Sequence, residues 1–392
     1  MENKRLNIFL LIPLVVTFSF GMDSYIPFII VIKSQLNLSA SIVQLSMSIY
    51  IFALAVGQIF IGLLSDYIGR KKALYLSTIL FMASSVLCGF STSGTQLIIG
   101  RFLQGIGACG LRACTYTMVK DCYDGDQASA YLTRLYSAVS LSPMIAPLIG
   151  GFVGGIWGWE AIFFMMVILG IALLGCIYPL PETYSKQTEK TLKQHFKDIG
   201  AVFRDKQILF YGCLSAAGIT AMFCFVSSMS YIILLQYHLS QEYIYLTFVI
   251  CGIGMFIVGM LSKKIISSLG SKQALYYSFG VSVFLLIIMS ILSLLGDLNF
   301  SMYVLFSMLL ISIAIILNGC SISMGVASRK TLIGLGISII GVLGYGIAAI
   351  SGWVLSLLPI NTFSYGLVVG TYYLFMIVIS LIAIKPKKAI IN

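Results

Sequence analysis

The chain has 392 residues, 59% of them hydrophobic and only 9% charged, whereas soluble domains carry about 25% charged residues. So few charges cannot cover a water-exposed surface, which excludes a soluble protein and points to a chain that crosses a bilayer many times. The net charge of +11 is no nucleic-acid signal, because the lysines and arginines sit in short loops between apolar runs.

Apolar runs of about 20 residues, the length that spans a bilayer, recur twelve times. They fall near 6–32, 42–64, 73–91, 96–119, 128–152, 161–181, 207–235, 243–262, 274–295, 300–325, 331–358 and 364–384. Runs this long and uniform mean helices, which satisfy every backbone group internally. The first run continues to Ile32, too long for a cleaved leader, and is read as a span. With the N-terminus inside, the inner loops hold Arg70, Lys71, Lys72, Lys120, Arg134, Lys263, Lys264 and others, and the outer loops only Lys33. That bias places both termini in the cytoplasm. The nine cysteines form no CxxC pair and are read as buried thiols, with no metal site expected.

Span 1 contains Asp23, the one carboxylate deep inside an apolar run; an intramembrane acid is a functional-site candidate. Span 2 carries Tyr50 and leads into Gly62-Leu63-Leu64-Ser65-Asp66-Tyr67-Ile68-Gly69-Arg70-Lys71-Lys72, a carboxylate and a basic cluster in a tight turn that glycines make room for. Span 4 carries Arg101, Gln104, Arg112 and Tyr116. Eleven residues make close to three turns, so the two arginines point the same way. Gly105 and Ala108 between them predict open space, a cavity wall rather than a helix seam. At about 1.5 Å per residue, Asp23 and Arg101 fall at similar depths, roughly 6 and 10 Å outside the midplane, with Arg112 roughly 6 Å inside. Asp23 can neutralise only one arginine. Arg112 is therefore expected to be completed by a substrate carboxylate or phosphate, with snorkelling or a polar helix partner as the other readings.

Span 5 contains Ala146-Pro147-Leu148-Ile149-Gly150-Gly151, and span 6 ends in Pro181-Glu182-Thr183. In the linker, Leu192, Phe196, Ile199 and Phe203 recur at helical spacing among lysines, which predicts an amphipathic helix on the anionic inner leaflet. The linker, 185–206, separates residues 1–184 from 207–392. Gly69-x-Lys71-x-Ala73-Leu74-Tyr75-x-Ser77 returns as Gly270-x-Lys272-x-Ala274-Leu275-Tyr276-x-Ser278. Matching loops predict two pseudo-symmetric six-helix bundles with a site at the midplane between them. Tyr231, Asn318 and Tyr345 join Tyr50, Gln104 and Tyr116 as weaker candidates for the substrate passage.

The Gly62 to Lys72 stretch resembles the G-x-x-x-D-x-x-G-R-[RK] signature of the major facilitator superfamily, and Arg101-Phe102-Leu103-Gln104-Gly105-Ile106-Gly107 resembles its R-x-x-Q-G-x-G signature. The resemblance implies an all-α membrane protein with the major-facilitator fold, in which Gly62, Asp66, Gly69 and Arg70 form a cytoplasmic latch, with Asp66 accepting from Arg70 and facing the start of span 11. The Pro147, Gly150 and Gly151 segment resembles a proton-antiporter motif, although Ser142 and Ala146 stand where glycine is preferred. Glu160 also replaces the usual basic residue after Gly158-Trp159. Together with Gly21-Met22-Asp23-Ser24-Tyr25-Ile26-Pro27, these motifs resemble the twelve-helix drug/proton antiporters of the bicyclomycin- and chloramphenicol-resistance group over most of 1–184. That implies proton coupling through Asp23 and Arg101.

The expectation is a proton-coupled carrier, in the inner membrane of a bacterium, that exports a small molecule by alternating access. Its substrate would be drug-like, or an anionic carboxylate-rich metabolite or siderophore. A symporter importing an organic acid is the alternative. With no HExxH, GxSxG or ATP-binding motif, an enzyme or a pump is not expected. Nor is a cofactor, since the proton gradient is the energy source. The expected partners are the substrate and the lipid bilayer, with the protein a monomer.

Overall fold

A computed structural model describes residues 6–123, 125–184, 192–327 and 333–383, which form helices joined by short turns with no strand among them. In order these are α1 (Ile8–Asp23), α2 (Ile29–Gln35), α3 (Ala40–Ile68), α4 (Arg70–Gly89), α5 (Gly94–Cys122), α6 (Gly125–Trp157), α7 (Trp159–Ile177), α8 (Leu192–Phe203), α9 (Lys206–Tyr231), α10 (Glu242–Leu269), α11 (Ser271–Leu295), α12 (Phe300–Val326), α13 (Ile333–Ser356) and α14 (Thr362–Ala383). Short polar residues start five of them: Asn7, Ser39, Ser93, Asp205 and Asn299 each accept a backbone N–H of the helix that follows, as N-caps do. Among the described residues, eleven helices are long and apolar enough to cross a membrane, α1 and α2 counting as one. The fifth run of the sequence is α6, whose apolar part is the shorter Leu141–Trp157; Gln127, Ser129 and Arg134 make its first half polar.

Two sets of helices pack internally. In the first, α3, α4 and α5 pack on one another, α7 lies on α4, and α1 touches α5 and α6. In the second, α9 packs on α12 and α13, α12 on α10 and α11, and α11 on α14. The sets meet mainly where α3 runs beside α13 and α6 beside α10. Glycines allow the first approach: Gly341 of α13 lies against the Gln58 side chain, and Gly352 against Ser48 and Phe223.

The first span is broken. After Asp23 the chain turns through a 3-10 segment, Ile26–Phe28, before α2 resumes. Pro27 has no N–H to continue the α-ladder. Beyond Tyr231, α9 passes into a π-helical segment, Ile232–Gln236. Breaks of this kind free backbone groups, which lipid cannot satisfy. The second set supplies the partners: Ser230 donates to the Ile26 carbonyl at 2.9 Å and Gln241 to that of Pro27 at 3.2 Å.

The sequence repeat is also a repeat of geometry. Gly69 opens α4 with φ +95° and ψ 157°, and Gly270 opens α11 with φ +81° and ψ 150°. Only glycine adopts that region readily. Each glycine N–H folds back on the preceding helix, to Ser65 and Ile266, and each carbonyl starts the next, accepting from Ala73 and Ala274.

The linker helix, expected from the sequence on the inner leaflet, packs on protein. Val202 of α8 is fully buried with Ile208 of α9 and Ile339 and Ile340 of α13, so α8 docks on the second set. The side chains of Leu192 and Phe196 lie outside the described residues.

Candidate functional site

The site begins with Arg101 on α5, a side chain fully removed from solvent. Its Nη1 donates to the Gly21 carbonyl of α1 and to Gln104 Oε1, both at 2.6 Å. Gln104 is held by its own amide, which donates to Ser85 of α4 at 2.8 Å. The guanidinium lies between two rings, 4.4 Å from the centroid of Tyr25 and 4.3 Å from that of Tyr50. Such cation–π contacts gain strength when desolvated. The rings are pinned in turn: Tyr25 hydrogen-bonds Ser46 at 2.9 Å, and Tyr50 donates to the Phe18 carbonyl at 2.9 Å. Nε and Nη2 of Arg101 are buried and find no hydrogen-bond partner among the described residues.

Asp23 is 3% exposed and closes α1 two residues beyond the carbonyl that Arg101 holds. The depth match read from the sequence brings the two groups to the same region but forms no ion pair. Among the described residues, ion pairs join Arg70 to Asp66 and to Asp121 only. α6 presses on this place, since a Cβ on Gly150 would stand 2.0 Å from the Ser24 carbonyl. Gly151 next to it faces the Tyr245 ring of α10, and Pro147 is buried. The antiporter-like segment is therefore where α6 fits between the break in span 1 and the second set.

Arg112, three turns along α5, has other surroundings. It is half-buried. Its Nη1 donates to the Tyr345 hydroxyl of α13 at 2.7 Å. Its guanidinium lies 5.0 Å from the Phe18 ring and 5.1 Å from the Tyr345 ring, and those rings meet edge to face at 6.2 Å. This cluster joins α1 and α5 of the first set to α13 of the second.

The stretch between the arginines corrects the expectation of a cavity wall. A Cβ on Gly105 would be 2.6 Å from the Tyr50 carbonyl, one on Gly57 would be 2.9 Å from Cys109, and Ala108 is fully buried. The small residues serve a close seam between α3 and α5, the use small residues have in membrane helices. Of the other candidates, Tyr50 and Gln104 hold Arg101. Tyr231 is buried, its hydroxyl without a partner among the described residues, and Tyr116 is half-buried. Asn318, also half-buried, accepts from Ser215 at 2.6 Å within the second set.

At the basic end, Arg70 bonds Asp66, donates to Ser65 at 2.7 Å and to Asp121 at 3.0 Å, and lies 5.4 Å from the Tyr184 ring. Glu182 accepts the Arg70 and Lys71 backbone N–H groups at 2.9 and 3.1 Å. A carboxylate there complements the positive end of α4. Thr183 donates to Asp121 at 3.1 Å. Gly69 leaves the space that Glu182 occupies, while Gly62 faces open space. These partners tie α3, α4, α5 and the end of α7 together. The start of span 11, expected opposite Asp66, falls outside the described residues.

Sequence reasoning missed the roles of Ser85, Ser46, Phe18, Asp121 and Glu182. Of these only Glu182 stood in a recognised motif, and its task depends on a turn more than a hundred residues away.

The chain matches the family model of the Major Facilitator Superfamily over residues 11–352. It is 25% identical over 359 residues to the multidrug resistance protein MdtL of Shewanella oneidensis, covering 89% of this chain and 88% of that one. It is 24% identical over 284 residues to a bicyclomycin resistance protein homolog of Haemophilus influenzae, covering 72% and 71%. A match to the MFS-type transporter YdgK of Bacillus subtilis, 30% identical over 260 residues, covers 64% of this chain and 65% of that relative. The fold resembles a D-xylose-proton symporter, with TM-score 0.74 and 15% identity over 94% of this chain and 96% of that one. A peptide transporter is similar at TM-score 0.73 and 16% identity, over 96% and 94%. With the family model matched across most of its length and the fold shared with known carriers, the chain belongs to the major facilitator superfamily.

Proposed function

We propose that this transporter is a proton-coupled exporter working by alternating access in a bacterial inner membrane. Asp23 takes and releases the proton, Arg101 is its electrostatic partner, and the substrate is a drug-like molecule or an organic anion. The observation that carries the reading is the pair of buried groups left incomplete among the described residues: a carboxylate with no ion-pair partner there, and an arginine near it with two nitrogens that find no partner there. Burying an isolated carboxylate charge is costly, and a proton on Asp23 relieves that cost in the conformation seen. When the proton leaves, the carboxylate can be received by the idle Nε and Nη2 of Arg101, an exchange that pulls on α1 where α6 and the second set abut it. Proton position and helix position are thereby linked, and each charge moved down the gradient yields about 2.3 kcal/mol per 100 mV. The relatives named for multidrug and bicyclomycin resistance favour export over import.

The test is transport in proteoliposomes of known orientation under an imposed pH gradient. Asp23→Asn is expected to lose gradient-driven movement while keeping substrate exchange at equal pH. Gradient-driven transport by Asp23→Asn at the normal rate would overturn the assignment, and accumulation toward the cytoplasmic side would reverse the direction.

A further inference from the structure

We infer that Arg112, Phe18 and Tyr345 form the recognition site for an organic acid bearing a single negative charge and a flat apolar body. This rests on the reading of the chain as a small-molecule carrier and narrows its substrate class.

Three observations carry it. First, Arg112 is a half-buried cation with no carboxylate partner among the described residues. Its one hydrogen bond among the described residues goes to a neutral hydroxyl, at 2.7 Å. A guanidinium has five donors, and its in-plane edge matches a carboxylate bidentately. Second, two aromatic rings, those of Phe18 and Tyr345, flank it at 5.0 and 5.1 Å, so whatever approaches the charge meets π-faces and apolar edges. A flat hydrocarbon body gains from such surfaces. Third, the site can compensate one charge only. Arg101 is sealed, with Nη1 committed to Gly21 and Gln104 and a tyrosine on either side. Further carboxylates would be left without cations, and burying an unpaired charge costs several kcal/mol. That argues against the carboxylate-rich substrates suggested by arginine number alone.

The Tyr345 hydroxyl holds the place of a substrate oxygen. When a carboxylate pairs with Arg112, this hydroxyl is released, and with it the hydrogen bond joining α5 to α13. Binding therefore loosens a contact between the two sets of helices, which gives the substrate leverage over their movement.

Equilibrium binding to the full chain in nanodiscs, at one pH and without a gradient, tests the inference by calorimetry. The probes are benzoate and 1-naphthoate, their neutral amides, citrate, and tetraphenylphosphonium. The acids are expected to bind about tenfold or more tightly than the amides, a difference of about 1.4 kcal/mol. Arg112→Gln should remove that preference, Arg112→Lys should restore part of it, and Tyr345→Phe should tighten the acids by freeing the guanidinium. Amides binding as well as acids, citrate or tetraphenylphosphonium binding more tightly than both acids, or neither acid binding at millimolar concentration would each overturn it. Should Arg112→Gln fail to fold, the acid–amide comparison and Tyr345→Phe decide on their own. Because no gradient is present, failure here is separate from failure of proton coupling, which Asp23→Asn reports.

Discussion

The two arginines of α5 share a helix face and little else. Arg101 is enclosed within the first set of helices, with a carbonyl, an amide and two tyrosine rings around it. Arg112 is half-buried, has one hydroxyl partner, and that partner belongs to the second set. A charge whose surroundings come from one rigid group of helices keeps them through a rocking motion. A charge at the boundary trades partners as the groups move. The enclosed arginine is suited to hold an internal element in register, and the boundary arginine to meet something that comes and goes.

The sharpest way to break this comparison is to delete each side chain. Arg101→Ala leaves a cavity and strands the Gly21 carbonyl, so it should destabilise the protein by about 2–4 kcal/mol. Arg112→Ala should change stability by about 1 kcal/mol or less, since the hydrogen bond it gives up is to a neutral hydroxyl. Thermal unfolding in detergent measures both, and equal losses would end the distinction. Crowding probes the enclosed side. Gly150→Ala drives a methyl into the Ser24 carbonyl, while Gly155→Ala enters open space. The first should cost about 1–3 kcal/mol with loss of transport, and the second should be close to neutral in the same assays.

The contrast between a surrounded and a bare group recurs at the repeated turns. Gly69→Ala and Gly270→Ala each impose a backbone strain of about 1–3 kcal/mol. Only Gly69 has a carboxylate, Glu182, where the methyl would go, so its variant should unfold at the lower temperature. The smallest expected effect is at the seam between the break in span 1 and the second set. Ser230→Ala and Gln241→Ala should each cost about 1 kcal/mol or less. They should also speed thiol labelling of a cysteine introduced in place of Tyr25; unchanged labelling would show that these bonds do not hold the seam shut.

How much of this was legible beforehand depended on how local the cause was. Apolar runs and the glycine turns announce themselves within a few residues, so most of the spans and the repeat were readable, while the Arg70–Asp66 contact followed from the resemblance of the turn to a family signature. The polar first half of α6 was readable too, but a generous hydropathy reading hid it. Asp23 and Arg101 could be placed at one depth by counting residues. That Arg101 would choose a backbone carbonyl and two rings over the acid could not, because the choice turns on where the helix break aims each group. Gly105 was misjudged for a related reason. A small residue signals close approach, and whether a ligand or another backbone does the approaching is decided by the neighbouring helix. Glu182 and Val202 act across more than a hundred residues of chain, and nothing in their own segments names the partner.

The stitched carbonyls of Ile26 and Pro27 set a condition on any parting of the two sets of helices at this end. Separating Ser230 and Gln241 from them strips two strong acceptors at once, and only solvent can replace the lost donors. Parting the sets there would thus be a wetting step, taking up water in proportion to the backbone it uncovers. Solutes excluded from narrow crevices should slow turnover by osmotic stress, even when they never touch the substrate.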